Sequence, residues 1–179
     1  MAFLRRDYII QEVMKQHESL AYYNASSVNI IRITSLLWKG KVYIMGGILR
    51  VGVSGGFCDH TSQGGQYPLI IPIDENGWLG SRAIDCDNGF VYDDVRGKRI
   101  EGRILHYMKM KEFAQKEHIK YPHHKMIGWD FTLDVNENIR CIEYNSDCPG
   151  IVQSQFALGP IFSQRTERVN SLLDEILRD

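Results

Sequence analysis

Asp130, Glu143 and Asn145 are the residues whose types and spacing point most directly to chemistry. They fall in GWDFTLDVNENIRCIEYN, two runs suited to strands on either side of a turn at 134–138. Side chains alternate along a strand, so Asp130, Thr132, Glu143 and Asn145 point to one face of such a hairpin. Trp129, Phe131, Ile142 and Tyr144 are left for the other face, where an apolar layer can pack on a helix. Two carboxylates and an amide converging at a hairpin end suit magnesium, a hard cation held by one or two carboxylates together with substrate phosphates. A solvated sheet face, with Asn145 opening the turn into Pro149-Gly150, is the alternative reading of the same pattern.

The rest of the chain must position these groups. DYIIQEV (7–13) reads as a short buried strand, and 14–23 as a helical turn or loop. VNIIRITSLL (28–37) and VYIMGGILRV (42–51) are rich in β-branched and apolar residues and flank Lys39-Gly40-Lys41, which predicts an antiparallel hairpin. Each carries one conspicuous cation, Arg32 and Arg50. The stretch 52–65 is rich in glycine and small polar residues, a loop able to bring its backbone close to a ligand. A second hairpin is expected around Asp74-Glu75-Asn76-Gly77 and a short strand pair around Arg96-Gly97-Lys98. ILHYMKMKEFAQKEH (104–118) has apolar residues at helical spacing, with Pro122 beyond its end. A C-terminal helix is expected over about 160–177. The histidines His106, His118, His123 and His124 are read as structural or exposed. This pattern predicts an α+β fold, an antiparallel β-sheet with packed helices, in one folding unit spanning residues 1–179.

Composition narrows the functional classes. With 179 residues, 44% of them apolar, the chain can bury a core of its own. Its 21 basic and 22 acidic residues create no strong field toward nucleic acid or an anionic membrane, so any phosphate must be met by local groups. The four cysteines, Cys58, Cys86, Cys141 and Cys148, form no C-x-x-C pair and no zinc spacing. No run approaches the ~20 apolar residues of a membrane span, and MAFLRRDYII has its charges after its apolar residues, unlike a secretory signal. A reduced, cytoplasmic protein is the expectation.

The segment GWDFTLDVNENIRCIEYNSDCPG resembles the metal-binding hairpin of the ATP-grasp superfamily, which includes D-alanyl-D-alanine ligase. SSVNIIRITSLLWKGKVYIMGGILRVGVSGGFCDHTSQGG is similar, more narrowly, to the ATP-grasp proteins associated with sugar-transfer and polysaccharide gene clusters. The likeness spans roughly residues 8–156. It implies the C-terminal lobe of an ATP-grasp fold, with ATP and magnesium (or manganese) as cofactors and Asp130, Glu143 and Asn145 as ligands of two metal ions on the triphosphate.

The resemblance also makes Arg32 and Arg50 catalytic cations facing the γ-phosphate or an acyl phosphate, a role suited to the rigid guanidinium fork. A cross-strand ion pair is the plainer alternative for them. Gln11, Glu12 and the backbone of Val13 would meet the adenine edge on a hinge strand, with Ile142 against the base. Gly64 and Gly65 would form a backbone turn near the acceptor, and Asp59 and His60 would contact substrate. His60 stands where the family commonly has Asn. D-alanyl-D-alanine ligase has an Arg two residues before its metal Asp; here Gly128 occupies that place, so the cation must be absent or supplied elsewhere.

Since the likeness starts at the hinge, the chain is expected to hold one lobe of the clamp and to turn over weakly alone, with a separate N-terminal lobe or a second copy as partner. The function implied is that of the nucleotide and metal lobe of an ATP-dependent carboxylate ligase linked to polysaccharide or cell-envelope assembly, acting on an unidentified carboxylate. A non-catalytic module that keeps the fold, or a kinase acting on a sugar hydroxyl, are the alternatives.

Overall fold

The run IIRITSLLW becomes an interior strand of the sheet because its odd and even residues both find cover. A computed structural model describes residues 12–55 and 68–162. In chain order the elements are α1 (Glu18–Ala21), β1 (Ile30–Trp38), β2 (Lys41–Val51), β3 (Leu69–Ile73), β4 (Ala83–Asp85), β5 (Val91–Tyr92), β6 (Asp94–Val95), β7 (Lys98–Arg99), α2 (Tyr107–His118), β8 (Met126–Leu133), β9 (Ile139–Asn145) and α3 (Ile151–Leu158). Seven strands form one sheet in the order β5-β4-β3-β2-β1-β8-β9, every pairing antiparallel. The α+β architecture expected of the sequence is what forms.

The expected hairpins are present. β1 and β2 meet at Lys39-Gly40, both with positive φ (45° and 73°), the two-residue geometry whose twist matches a hairpin. β6 and β7 turn at Arg96-Gly97 in the same way, with φ of 53° and 83°. The second hairpin is looser than its sequence suggests. Strand pairing of β3 with β4 covers Leu69↔Asp85 and Ile70↔Ile84, and near the turn Ile73 meets Leu79 in an isolated bridge.

One face of the sheet carries the main core. Ile31, Ile33, Leu49, Ile71, Ile127, Trp129 and Phe131 are buried there with Tyr107, Met110 and Ala114 of α2. Phe113 of α2 meets Trp129 and Phe131 edge to face, with ring centroids 6.1 and 5.7 Å apart. The end of α2 is fixed by His118, which is fully buried. Its Nε2 lies 2.8 Å from the His124 carbonyl and must donate to it, so Nδ1 accepts from the Ser35 hydroxyl at 2.7 Å. Trp129 Nε1 donates to that same hydroxyl oxygen at 2.7 Å, closing the network.

The opposite face is the polar one, and α3 lies across it. Gly128, Thr34 and Gly46 form a lateral row of small residues over β8, β1 and β2. The segment from Pro149 to Leu158 follows this trough. A Cβ on Gly128 would come within 2.5 Å of the Pro149 carbonyl oxygen, one on Gly46 would strike Leu158, and Ser154 Oγ lies 3.5 Å from Thr34 Oγ1. Helix α3 was not legible in the sequence. The C-terminal helix expected over 160–177 falls almost wholly outside the described residues.

The strand expected at 7–13 is only partly testable, since residues 7–11 lie outside the described residues. Glu12 and Val13 are exposed and belong to no strand; the chain joins the sheet at Gln16, which bridges Asp134. Gln16 owes this position to its amide, which donates to the carbonyls of Asn24 and Ser27 and accepts from the Asn29 N–H.

Candidate functional site

Strand register builds the site. Arg32 pairs with Asp130 across β1 and β8, and Asp130 with Glu143 across β8 and β9, so the three side chains stand in one lateral row. Residues opposite each other in a sheet share a face, here the face that α3 covers. Asn145 pairs with Gly128 in the next row, and its Nδ2 donates to Glu143 Oε1 at 3.2 Å. The face expected for Asp130, Glu143 and Asn145 is therefore the one they occupy. Arg50, opposite Ile30 on β2, brings Nη1 to 3.7 Å from Asp130 Oδ2.

Asp130 is the centre of this geometry. Arg32 grips it through both oxygens, Nε to Oδ1 at 2.6 Å and Nη2 to Oδ2 at 2.5 Å, the bidentate arrangement that gives guanidinium–carboxylate pairs their strength. All three residues are buried: Arg32 is 7% exposed, Arg50 4% and Asp130 3%. Two guanidinium groups lie around one carboxylate in a region of low dielectric, where charges interact far more strongly than at the surface. Glu143 is exposed at the rim.

Two features of this wall were missed in the sequence. First, strict alternation puts Ile142 in the row of Tyr144, but a bulge between Asp130 and Phe131 gives Cys141 as the partner of Phe131 and leaves Ile142 as the extra residue, 39% exposed. Cys141 consequently lies near the acidic pair. Burial, then Asp130 and Glu143, push its thiol up to about 11. Secondly, Gly150, with φ of +69°, lies against the Arg32 guanidinium, where a Cβ would collide with Nη1. The glycine of Pro149-Gly150 is the signal that a close approach is needed there. Cys86, just after β4, is held up at about 11 by burial and by Asp87 and Asp85, while Arg50 draws it down, which places it within electrostatic reach of that cation.

The donor set suits a hard cation: two carboxylates and an amide that already touches one of them. Among the described residues no group of three or more His, Cys, Asp or Glu can hold a metal by itself. Any ion here needs further oxygen ligands, as phosphates provide.

Of the remaining expected site residues, those that are described lie outside this row. Glu12 and Val13 are exposed near the start of the described chain. Gln11, Asp59, His60, Gly64 and Gly65 lie outside the described residues. The stem of the glycine-rich loop is visible and firmly held: Asn29 Oδ1 accepts from Gly52 N–H at 3.2 Å, Arg96 donates to the Gly52 carbonyl at 2.9 Å, and Ser26 Oγ accepts from Gly55 N–H at 2.8 Å.

An antiparallel sheet with packed helices, carrying Asp130 on one strand and Glu143 and Asn145 on the next, is the α+β architecture of an ATP-grasp lobe. The sugar-transfer associated ATP-grasp family matches residues 4–171, nearly the whole chain, and the protein belongs to that family. No curated protein and no solved structure matched it. Among the described residues no helix is long and apolar enough to cross a membrane.

Proposed function

We propose that this chain supplies the ATP- and magnesium-binding lobe of an ATP-dependent carboxylate ligase serving polysaccharide or cell-envelope assembly. The observation that carries the reading is the row Arg32–Asp130–Glu143, with Asn145 on Glu143 and Arg50 beside Asp130. Oxygen atoms suited to a metal and guanidinium groups suited to a phosphate stand side by side, with Arg32, Arg50 and Asp130 buried and Glu143 at the exposed rim, and this supports the reading.

In this reading a substrate carboxylate oxygen attacks the γ-phosphorus of ATP and the bond to ADP breaks, leaving an acyl phosphate. An amine then attacks the acyl carbon and loses a proton, and phosphate departs with the C–O electron pair. Arg32 and Arg50 hold the transferred group in line and stabilise the charge that spreads over its oxygens. When bound, magnesium would draw charge from the phosphates on the side of Asp130, Glu143 and Asn145. Arg32, reaching Asp130 from the neighbouring strand, is the cation we assign to the role that D-alanyl-D-alanine ligase gives to an Arg at the place of Gly128. Gly128 must stay small because the Pro149 carbonyl packs on it.

Phosphoryl transfer depends on enclosing the phosphates, and this row is one wall. An opposing wall, from another lobe or a second copy, belongs to the proposal. So does a reducing cytoplasmic setting, which the free thiols of Cys86, Cys141 and Cys148 favour.

Calorimetric titration of the protein with ADP and magnesium tests the assignment. Asp130→Ala and Glu143→Ala are each expected to weaken binding by about tenfold or more. Equal binding by both variants and the wild type overturns the metal assignment. Trapping an acyl phosphate with hydroxylamine in the complete enzyme separates a ligase from a kinase.

A further inference from the structure

The carboxylate that our proposed function gives to the metal already holds a cation. Both oxygens of Asp130 accept from Arg32, and Arg50 stands 3.7 Å from one of them. A divalent ion approaching this carboxylate meets two guanidinium charges at close range in a buried setting, where like charges repel strongly. An arriving polyphosphate changes that balance. It offers the arginines an acceptor with more charge and more oxygens than one carboxylate, in the geometry a guanidinium fork prefers.

We propose that Arg32 is an exchangeable counter-ion: without nucleotide it occupies Asp130 in place of the metal, and a bound polyphosphate draws it off and frees the carboxylate. Metal and nucleotide then bind with strong mutual dependence, and free divalent ion does not load the site on its own. Burial explains why the exchange is needed. An Asp130 left without any cation would be an unpaired charge in the interior, so a stand-in keeps the empty wall folded. Glu143, exposed at the rim with Asn145 on its carboxylate, needs no such partner and is ready for an ion at any time. The inference rests on the ligand assignment above, and its test keeps the two apart.

The probe is Mn2+, titrated into the protein with and without ADP and followed by water-proton relaxation, which separates slowly tumbling protein-bound ion from free or nucleotide-bound ion. In the wild type, ADP is expected to tighten Mn2+ binding by about tenfold or more, and by linkage Mn2+ tightens ADP binding by the same factor. Arg32→Met is expected to bind Mn2+ without ADP about tenfold more tightly than the wild type and to lose most of the coupling. Asp130→Asn is expected to lose Mn2+ in both conditions. Wild-type binding that is equally tight with and without ADP, yet abolished by Asp130→Asn, overturns the exchange and leaves the ligand assignment standing. Asp130→Asn binding like the wild type, or no wild-type binding even with ADP, overturns the assignment itself and the exchange with it. Because phosphates themselves add oxygen ligands to the ion, the variant decides the matter: Arg32→Met that binds Mn2+ alone no more tightly than the wild type overturns the exchange. Where it fails to fold, Arg32→Lys, which keeps the charge without the fork, is expected to show the same tightening and serves in its place.

Discussion

At the scale of single residues, two aspartates four positions apart on the chain do opposite things. Asp130 is clasped by Arg32, a cation it is proposed to surrender. Asp134 is tied into its own turn, accepting from the N–H groups of Asn136 and Asn138, from the Asn138 amide and from Arg140. Burial alone would raise the Asp134 carboxyl, but these donors outweigh it and bring it down to about 2 from an ordinary 3.8. A carboxylate depressed in the folded state stabilises the fold above its unfolded pKa, and that stabilisation is lost as pH falls through the folded value. Asp134→Asn is therefore expected to melt below the wild type at neutral pH, with the gap closing between about pH 4 and pH 2; thermal melts across that range check it. The shared face of Asp130, Glu143 and Asn145 was legible in the sequence because alternation along a strand is a local fact. That Arg32 sits on Asp130 was not, since the two are 98 residues apart and only the sheet order joins them.

At the scale of elements, alternation and turn residues made β1, β2, β8 and β9 legible to within two residues at either end. What escaped was whatever depends on packing between elements. Helix α3 starts from Gly150, with no side chain to cap it, and its apolar residues show no clear stripe. Its position comes instead from the trough that Gly128, Thr34 and Gly46 open for it. Gly128→Ala is expected to destabilise the protein by about 1–3 kcal/mol, since a backbone oxygen cannot step aside as a side-chain tip can. It should also weaken binding of ADP with magnesium, because the displaced segment carries Gly150 at Arg32. Denaturant melts and calorimetry on one preparation check both. Likewise the bulge that removes Ile142 from its expected row leaves no mark in composition, so period-2 reasoning carried one residue too far.

The join between α2 and the sheet has its own pH signature. His118 is neutral in the fold, its pKa lowered by burial from an ordinary 6.5 and only partly restored by its bond to the His124 carbonyl. The unfolded chain takes up a proton there that the folded chain refuses, so stability falls as pH drops below about 6.5. His118→Asn is expected to be less stable at about pH 7.5 but to lose less on acidification to about pH 5.5. Urea midpoints at the two values give the comparison. The sequence left this histidine as structural or exposed, and the fold makes it structural.

For the whole molecule, a net charge of −1 provides little long-range attraction for a nucleotide. In the proposed function affinity comes from the buried arginines, which salt screens poorly. ADP binding with magnesium is expected to weaken by less than about tenfold between ~0.1 M and ~1 M salt, and a calorimetric salt series measures it. A steeper loss would mean that exposed lysines, and not Arg32 and Arg50, meet the phosphates.

The sheet order also bears on how the protein comes to be folded at all. β1 finds β2 at once, across a two-residue turn, but its other edge waits for β8, whose residues follow only after β2 to β7 and α2 have been made. Contacts so distant in sequence carry a large loop-closure cost and form slowly. Through that interval the growing chain exposes an unpaired edge flanked by Ile31 and Ile33, the kind of surface on which nascent chains aggregate or are caught by chaperones. The arginine clasp on Asp130 can close only when that edge is filled, so the first appearance of the site in a refolding experiment marks the closing of the sheet.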